Sequence, residues 1–190
     1  MKNFVLVFLL VFLSCKNEKK MESEIVNEKL EETDIEINQS PSEMWIRYIE
    51  SFPENKDAEI PESDFFHNNR DDANRLAELT LLGRKRASSG LYSLYRHYNI
   101  DLPSVGSKEI ITDFDGNAKV IIENVSVDTI PFNKVSKEYA ELDMGTDMEP
   151  LEKWKKEHWD FFEIFLKENG EEPTKEMLVV CVRFKKIWPL

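Results

Sequence analysis

The first helical pattern of polar and apolar positions lies at residues 40–53. Ser40 and Glu43 stand at the spacing of a capping box, and Pro41 occupies the first helical position after Ser40. Apolar side chains then recur at helical spacing: Trp45, Tyr48, Ile49 and Phe52. We therefore predict a helix that ends near Pro53.

Two further helices are predicted before residue 100. One spans residues 72–82, and Gly83 follows it at the position that tolerates a left-handed backbone. The other begins at Ser88 or Ser89, because a serine commonly caps a helix start. It places four apolar or aromatic side chains on one face: Leu91, Leu94, Tyr95 and Tyr98.

The pattern then changes to that of β-strands. Residues 108–114 and 118–127 are rich in β-branched side chains, and Asp115-Gly116 between them favours a tight hairpin. The same turn begins like a calcium-binding loop, but the later ligands of that loop are absent, so we prefer the hairpin. The remaining predicted elements are a helix over 135–141 started by Ser136, a helix over 150–169 and a strand over 177–187. Together these elements predict an α+β domain.

The amino terminus carries the pattern of a secretory leader. Lys2 precedes an apolar run from Phe4 to Leu13, which is too short to cross a bilayer as a helix. Ser14-Cys15 resembles the cleavage box of bacterial lipoproteins, although those usually have Leu where this chain has Phe12. The resemblance implies residues 1–14 as a lipoprotein signal peptide, lipidation of Cys15, and attachment to the cell envelope at a periplasmic or surface face. An ordinary secreted protein is the alternative.

Composition separates a tether from the domain. Residues 15–44 are acidic and polar, with apolar positions too sparse for a core, so we predict a flexible tether followed by one domain over residues 45–190. If Cys15 is lipidated, Cys181 is the only remaining cysteine, which rules out an intrachain disulfide. Its valine neighbours indicate a small core residue.

The charge balance argues against a protein that coats nucleic acid without specificity. The chain has 25 Lys plus Arg against 37 Asp plus Glu, a formal net charge of −12, whereas nonspecific affinity for phosphate backbones needs clustered cations. The one local basic patch lies between Arg70 and His97. No two histidines have metal-ligand spacing, so neither a metal nor another cofactor is predicted.

Four sequence blocks resemble a known family in their order and spacing. They are residues 79–89, which hold Gly83-x-Lys85-x-x-Ser88, and residues 102–106, 130–136 and 154–162. These blocks are similar to those of ASCH domains. The resemblance implies a small PUA-like β-barrel with surrounding helices and a cleft beside the Gly-x-Lys-x-x-Ser/Thr motif. It also implies ligands such as a nucleoside, a nucleotide or single-stranded RNA.

Within that resemblance, Lys85 and Ser88 are candidate catalytic residues. One branch of the family resembles an amidohydrolase of acetylated cytidine, and another is a ribonuclease, which is the less favoured activity here. In the amidohydrolase reading a desolvated Lys85 takes the proton of the Ser88 hydroxyl, whose oxygen attacks an acyl carbonyl. Without the family, the simpler readings are a solvated Lys85 at a helix end and Ser88 as an N-cap.

The catalytic acid of such a reaction is less clear. Related sequences carry a Glu-Gly-Glu-Gly-Asp run where this chain has residues 141–147, so only Glu141 or Asp143 is available to replace its acid. Three functions therefore remain open: a hydrolase of N-acylated nucleosides, a noncatalytic binding module, and an envelope interaction protein with a vestigial pocket.

Further candidates for ligand binding surround the motif. We expect contacts from Gly83, Arg84, Arg86 and Ser89, and from His158 on the helix over 150–169. His158 also lies on an apolar helical stripe, so a core histidine bonded to a backbone group is an alternative. One or two of the aromatic side chains Tyr92, Tyr95, Tyr98 and Trp45 are expected to stack on a base.

Overall fold

The computed structural model describes residues 40–190. The predicted signal peptide, the lipidation site Cys15 and most of the predicted tether lie outside the described residues. The first helix begins at Pro41, inside the segment assigned to the tether, and its Met44 side chain is buried. None of the helices within residues 40–190 combines the length and the apolar character needed to cross a membrane.

Five strands and five α-helices make up the described chain. The helices are α1 (Pro41–Ser51), α2 (Arg70–Leu81), α3 (Tyr92–His97), α4 (Lys137–Met144) and α5 (Pro150–Glu168). The strands are β1 (Ser63–Asp64), β2 (Ala87–Leu91), β3 (Lys108–Thr112), β4 (Ala118–Pro131) and β5 (Leu178–Trp188). Short 3-10 turns cover Pro53–Asn55 and Phe132–Lys134.

The strands form one mixed sheet in the order β1-β3-β4-β5-β2. β1 pairs with β3 in parallel, and the other three pairings are antiparallel. The long pair of β4 and β5 shifts register near Ile121 and again near Asn124, and such bulges bend a strand. The arrangement of one sheet with helices around it confirms the predicted α+β class.

Three apolar clusters pack the helices onto the sheet. α1 covers β3 and β4 through Met44 and Trp45, and α2 places Ala77 against Ile111 and Phe184. The largest cluster joins β2 and β5 to α4 and α5. Cys181 is buried in it as a free thiol, as predicted, and burial raises the pKa of that thiol to about 11.

Two local predictions are confirmed in atomic detail. Ser40 Oγ accepts from the Glu43 amide, and Glu43 Oε2 accepts from the Ser40 amide, so the capping box is complete. The hairpin turns at Gly116, whose φ is +84°. The Asp113 carboxylate accepts from the amides of Asp115 and Asn117 and so holds the turn.

The predicted start of the third helix is wrong. Ser88 and Ser89 belong to β2, where they pair with Val182 and Cys181 of β5, and α3 begins only at Tyr92. Ladder hydrogen bonds to a central strand outweigh the weak capping preference of serine in this segment. The simpler reading of Ser88 as an N-cap is therefore wrong as well.

Candidate functional site

A cleft lies between the start of β2, the end of α4 and one face of α5. Its cavity volume is about 90 Å³. Its wall includes Lys85, Ser88, Ser89, Asp143 and His158 from the predicted site. The other lining residues are Phe66, His67, Asp72, Arg75, Leu76, Met144, Glu157 and Phe161.

Lys85 is buried, with 4% of its surface exposed, so the reading of a solvated lysine at a helix end is wrong. Its ammonium donates to three oxygens: the Ala87 carbonyl at 2.8 Å, the Asp143 carbonyl at 2.9 Å and Asp143 Oδ1 at 2.5 Å. The Phe66 ring covers the same ammonium at 4.7 Å. All three ammonium hydrogens thus have acceptors, and the side chain also caps the last turn of α4.

The buried Asp143 carboxylate accepts hydrogen bonds from several residues of the site. Besides Lys85, its Oδ2 accepts from Ser89 Oγ at 2.5 Å and from Trp154 Nε1 at 2.8 Å. Burial alone would raise the pKa of this carboxyl, but the Lys85 charge and the hydrogen bonds of His158 and Lys85 hold the pKa well below its usual range. Asp143 is therefore a weak base, and as an anion it positions the groups that donate to it.

The two serines of the site have different surroundings. Ser89 Oγ is engaged, since it donates to Asp143 and lies 3.1 Å from the Tyr139 hydroxyl. Ser88 is held through its backbone, because its carbonyl accepts from the Tyr139 hydroxyl at 2.6 Å. Within residues 40–190 the Ser88 hydroxyl has no hydrogen-bond partner, and Ser88 lines the cleft. It is thus available to a ligand.

His158 makes the backbone bond of a core histidine and also lines the cleft. Its Nδ1 donates to the Trp154 carbonyl at 3.0 Å, which is the backbone bond of a core histidine. Its ring stacks on the Trp154 ring at 4.4 Å, and Nε2 lies 3.4 Å from Asp143 Oδ2. The ring nevertheless forms part of the cleft wall. His158 therefore links the cleft surface to the buried carboxylate.

Aromatic rings that the sequence did not single out line the cleft. They come from Phe66 and His67, in the segment between β1 and α2, and from Phe161 on α5. The His67 ring lies 4.9 Å from the Phe161 ring, and the His67 backbone has a φ of +69°. Such left-handed backbone at a non-glycine residue is a recognised feature of functional sites. The expected stacking residues lie elsewhere: Trp45 is in the core, and Tyr95 and Tyr98 border a second cavity.

Four predicted site residues are not part of this cleft wall. Glu141, Arg84 and Arg86 have exposed side chains, and Gly83 adopts a φ of +69° just after α2. Arg86 contributes through its backbone, because its amide donates to the Leu142 carbonyl at 2.8 Å. The structure thus brings Asp143, and not Glu141, to Lys85.

Gly145 allows the end of α4 to approach Lys85 closely. It ends α4 with a φ of +63°. A Cβ at this position would lie 3.3 Å from Leu79 Cδ1 and 3.4 Å from the Lys85 amide nitrogen. The left-handed backbone and these close contacts together favour glycine where the helix meets the motif.

The charges that line the cleft largely cancel. Lys85 pairs with Asp143, and Arg75 pairs with Asp72 at 2.7 Å. Glu157 lines the cleft without an ion pair among the described residues. In residues 40–190, no group of three or more His, Cys, Asp or Glu side chains has the geometry of a metal site.

Comparisons with known proteins agree on the fold. A family model described as "ASCH domain" matches residues 62–188. The chain is similar to the ASCH domain from Lactobacillus crispatus JV V101, with 30% identity, a TM-score of 0.71, and coverage of 77% of this chain and 92% of that one. It is also similar to a protein of Enterococcus faecalis V583, with 28% identity, a TM-score of 0.69, and coverage of 76% and 85%. No curated protein matches the chain. These likenesses confirm the predicted PUA-like barrel with surrounding helices.

Proposed function

Because the chain belongs to the ASCH domain family, we propose that its cleft binds a nucleobase, presented by a nucleoside or by an unpaired position of single-stranded RNA. One observation carries this proposal: Ser88, whose hydroxyl has no hydrogen-bond partner within residues 40–190, lines the same cleft as Phe66, His67 and Phe161. Splayed bases are commonly held by stacking on such rings and by hydrogen bonds to their edges.

Electrostatics favour the base over the phosphate as the recognised group. The Lys85 and Arg75 charges are each matched by a neighbouring carboxylate. Arg84 and Arg86, the two arginines expected to contact the ligand, do not line the described cleft. A phosphate entering it would also meet Glu157. We therefore expect a nucleoside to bind at least as well as its 5′-monophosphate.

The same contacts support binding without turnover. A lysine ammonium that donates all three hydrogens, one of them to a carboxylate, is not free to accept a proton from Ser88. Asp143 is a weak base because its pKa is held low. Hydrolysis of N-acylated nucleosides, and cleavage of RNA, are the alternatives that an activity assay separates from binding.

A thermal-shift screen tests the proposal on residues 16–190, which include every described residue. The ligands are nucleosides, N4-acetylcytidine, nucleotides and short RNAs. A ligand at a hundred times its dissociation constant adds about 2.7 kcal/mol to the folded state. We expect a nucleoside to raise the melting temperature of the wild type and of Ser126→Ala, a change in a half-buried serine of β4 outside the cleft. Ser88→Ala should reduce that rise.

Two results would decide against the proposal. If no nucleoside or RNA shifts the melting temperature, the cleft does not bind these ligands and is a vestigial pocket. If N4-acetylcytidine is converted to cytidine and Ser88→Ala or Lys85→Ala abolishes the conversion with the fold intact, the protein is a hydrolase.

For its location, we propose that the protein is held at the cell envelope by lipid on Cys15. The leader pattern and the polar segment after it support this proposal. Labelled palmitate fed to expressing cells should enter the wild-type protein and leave Cys15→Ser unlabelled, with Cys181→Ser as the labelled control. Equal labelling of the wild type and Cys15→Ser would contradict the proposal.

A further inference from the structure

Three carboxylates meet at the edge of the sheet where β1 joins β3. The two strands run in parallel with Ser63 opposite Ile110, and this register sets Glu62 beside Glu109. Successive side chains of a strand point to opposite faces, so Glu62, Asp64 and Glu109 share one face of the pair. Like charges that lie opposite each other on neighbouring strands destabilise the pairing.

Glu109 is the member of this group that is withdrawn from water. Glu62 and Asp64 are exposed, whereas Glu109 is half-buried. Burial, and then the Asp64 and Glu62 charges, raise the pKa of Glu109 to about 7. The β1–β3 pair therefore carries one more negative charge above neutral pH than below it.

The other neighbours of Glu109 do not compensate its charge. The residue opposite it on β4 is the apolar Ile122. The adjacent Lys108 pairs instead with Glu123 at 3.5 Å, and no cation of the described chain forms an ion pair with Glu109. On α3, burial and then the Glu109 charge raise the pKa of Tyr95, so that hydroxyl stays neutral while Glu109 titrates.

The strand that meets these charges is short and leads directly into the cleft wall. β1 has two residues, and the Ile110 amide donates to the Glu62 carbonyl at 2.9 Å just before it. Phe66 and His67 follow β1 closely in the chain and line the cleft. The Phe66 ring lies 4.7 Å from the Lys85 ammonium. Release of β1 would therefore free both rings from the cleft wall.

We propose that Glu109 is a positioning residue that makes the cleft sensitive to pH: its protonated carboxyl leaves β1 paired with β3, and its ionisation releases β1 together with Phe66 and His67. Release exposes Glu109 to water, which favours the ionised carboxylate. Opening of β1 should therefore become easier as the pH rises from 4.5 to about 7, and no easier above that. Weaker nucleobase binding at high pH is the expected consequence, and this consequence rests on the proposed function.

Amide hydrogen exchange in residues 16–190 tests the release without a ligand. The Ile110 amide reports the β1 contact, and the Phe184 amide, which donates to the Arg86 carbonyl at 2.9 Å, reports opening of the central sheet. After correction for intrinsic rates, Ile110 should exchange faster than Phe184 at pH 7. The ratio of the Ile110 rates in the wild type and in Glu109→Gln should rise about tenfold or more between pH 5 and pH 7.

Two further proteins check which charges are responsible. The double variant Glu62→Gln, Asp64→Asn removes the neighbouring carboxylates and should reduce the rise of the Ile110 exchange rate with pH. Glu171→Gln changes an exposed residue after α5 and should follow the wild type at every pH.

Calorimetric titration with cytidine tests the effect on the cleft. At pH 5.5 the wild type and Glu109→Gln should bind with similar affinity. At pH 8 the wild type should bind about fivefold more weakly or less tightly still, because only the variant keeps β1 paired. Both proteins retain His67 and His158, so the comparison isolates Glu109.

Each contrary result has a distinct meaning. If Ile110 exchanges no faster than Phe184, β1 opens only with the whole fold and the inference fails. It also fails if the Ile110 ratio does not change with pH. If exchange behaves as expected but cytidine affinity is equal in the two proteins at pH 8, the release does not reach the cleft, and the inference fails while the proposed function stands. If cytidine binds at no pH, the proposed function fails, and the exchange rates still decide whether Glu109 controls β1.

Discussion

Lys85 Nζ lies 2.5 Å from Asp143 Oδ1, although 58 residues separate them along the chain. The side chains of both residues are at most 5% exposed. This pair joins the segment before β2 to the last turn of α4, and Ser89 and Trp154 bond to the same carboxylate. The shape of the cleft therefore depends on one buried charge pair.

Removing the carboxylate charge should destabilise the fold strongly. Asp143→Asn leaves the Lys85 ammonium buried without its counter-charge, and loss of one partner of a buried pair costs about 3–5 kcal/mol. Urea unfolding measures this change. Asp147→Asn, at an exposed position in the next loop, is the control and should leave the unfolding midpoint unchanged.

The double variant Lys85→Met, Asp143→Asn gives a second check on the pair. It should be more stable than Asp143→Asn alone, because no unpaired charge remains in the interior. A single Asp143→Asn variant that loses less than about 1 kcal/mol would contradict a role for this pair in stability.

Glu109 should make the folded state less stable as the pH rises. It is half-buried in β3 without a hydrogen bond or ion pair in the described chain. Burial, and then the neighbouring Asp64 and Glu62 carboxylates, raise its pKa from 4.5 to about 7. Between these two values the unfolded chain loses the proton and the folded chain retains it, so the free energy of unfolding falls with increasing pH.

The Glu109→Gln variant tests whether ionisation of Glu109 lowers the free energy of unfolding. It should gain urea stability relative to the wild type at pH 8, and the difference should shrink as the pH approaches 4.5. Glu171→Gln, at an exposed position after α5, should follow the wild type at every pH. A Glu109→Gln variant that is less stable than the wild type at pH 8 would show that the ionised Glu109 is stabilising.

Gly145→Ala should damage the cleft more than Gly83→Ala does. Both glycines are left-handed, with φ values of +63° and +69°, but only a Cβ at Gly145 meets neighbouring atoms. Each change carries backbone strain of about 1–2 kcal/mol, and at Gly145 the Leu79 side chain must in addition shift by a few tenths of an ångström to admit the Cβ. Urea unfolding should show this difference, and Gly145→Ala should also weaken the nucleoside-induced thermal shift. Equal losses of stability in the two variants would contradict the close approach of Gly145 to Leu79 and Lys85.

Local signals explain which parts of the fold were predictable. The Ser40–Glu43 capping box and the Asp115-Gly116 hairpin depend on residues close in sequence, and both are present. Ser88 and Ser89 looked like a helix start because serine commonly caps helices, but their partners in β5 lie more than 90 residues away. Pairing at that distance leaves no mark in a local pattern.

The residues of the site that belong to a sequence motif were predictable. The residues that only tertiary packing brings into the site were not. The Gly-x-Lys-x-x-Ser motif identified Lys85 and Ser88, and both line the cleft. The sequence alone could not show whether Asp143 or Glu141 lies beside Lys85. The packing of α4 decides this, because it buries Asp143 and leaves Glu141 exposed. Phe66 and His67 stand in a polar, aperiodic stretch, and the left-handed backbone of His67 has no sequence signal.

The most direct test of the account is to map where a nucleoside binds, by titrating cytidine into isotopically labelled residues 16–190 and following backbone amide resonances. We predict that the amides of Ser88, Ser89 and Phe161 shift with one common dissociation constant, while those of α1 do not move. Shifts confined to other parts of the chain, or no saturable shift at millimolar cytidine, would contradict a nucleobase site beside the Lys85–Asp143 pair.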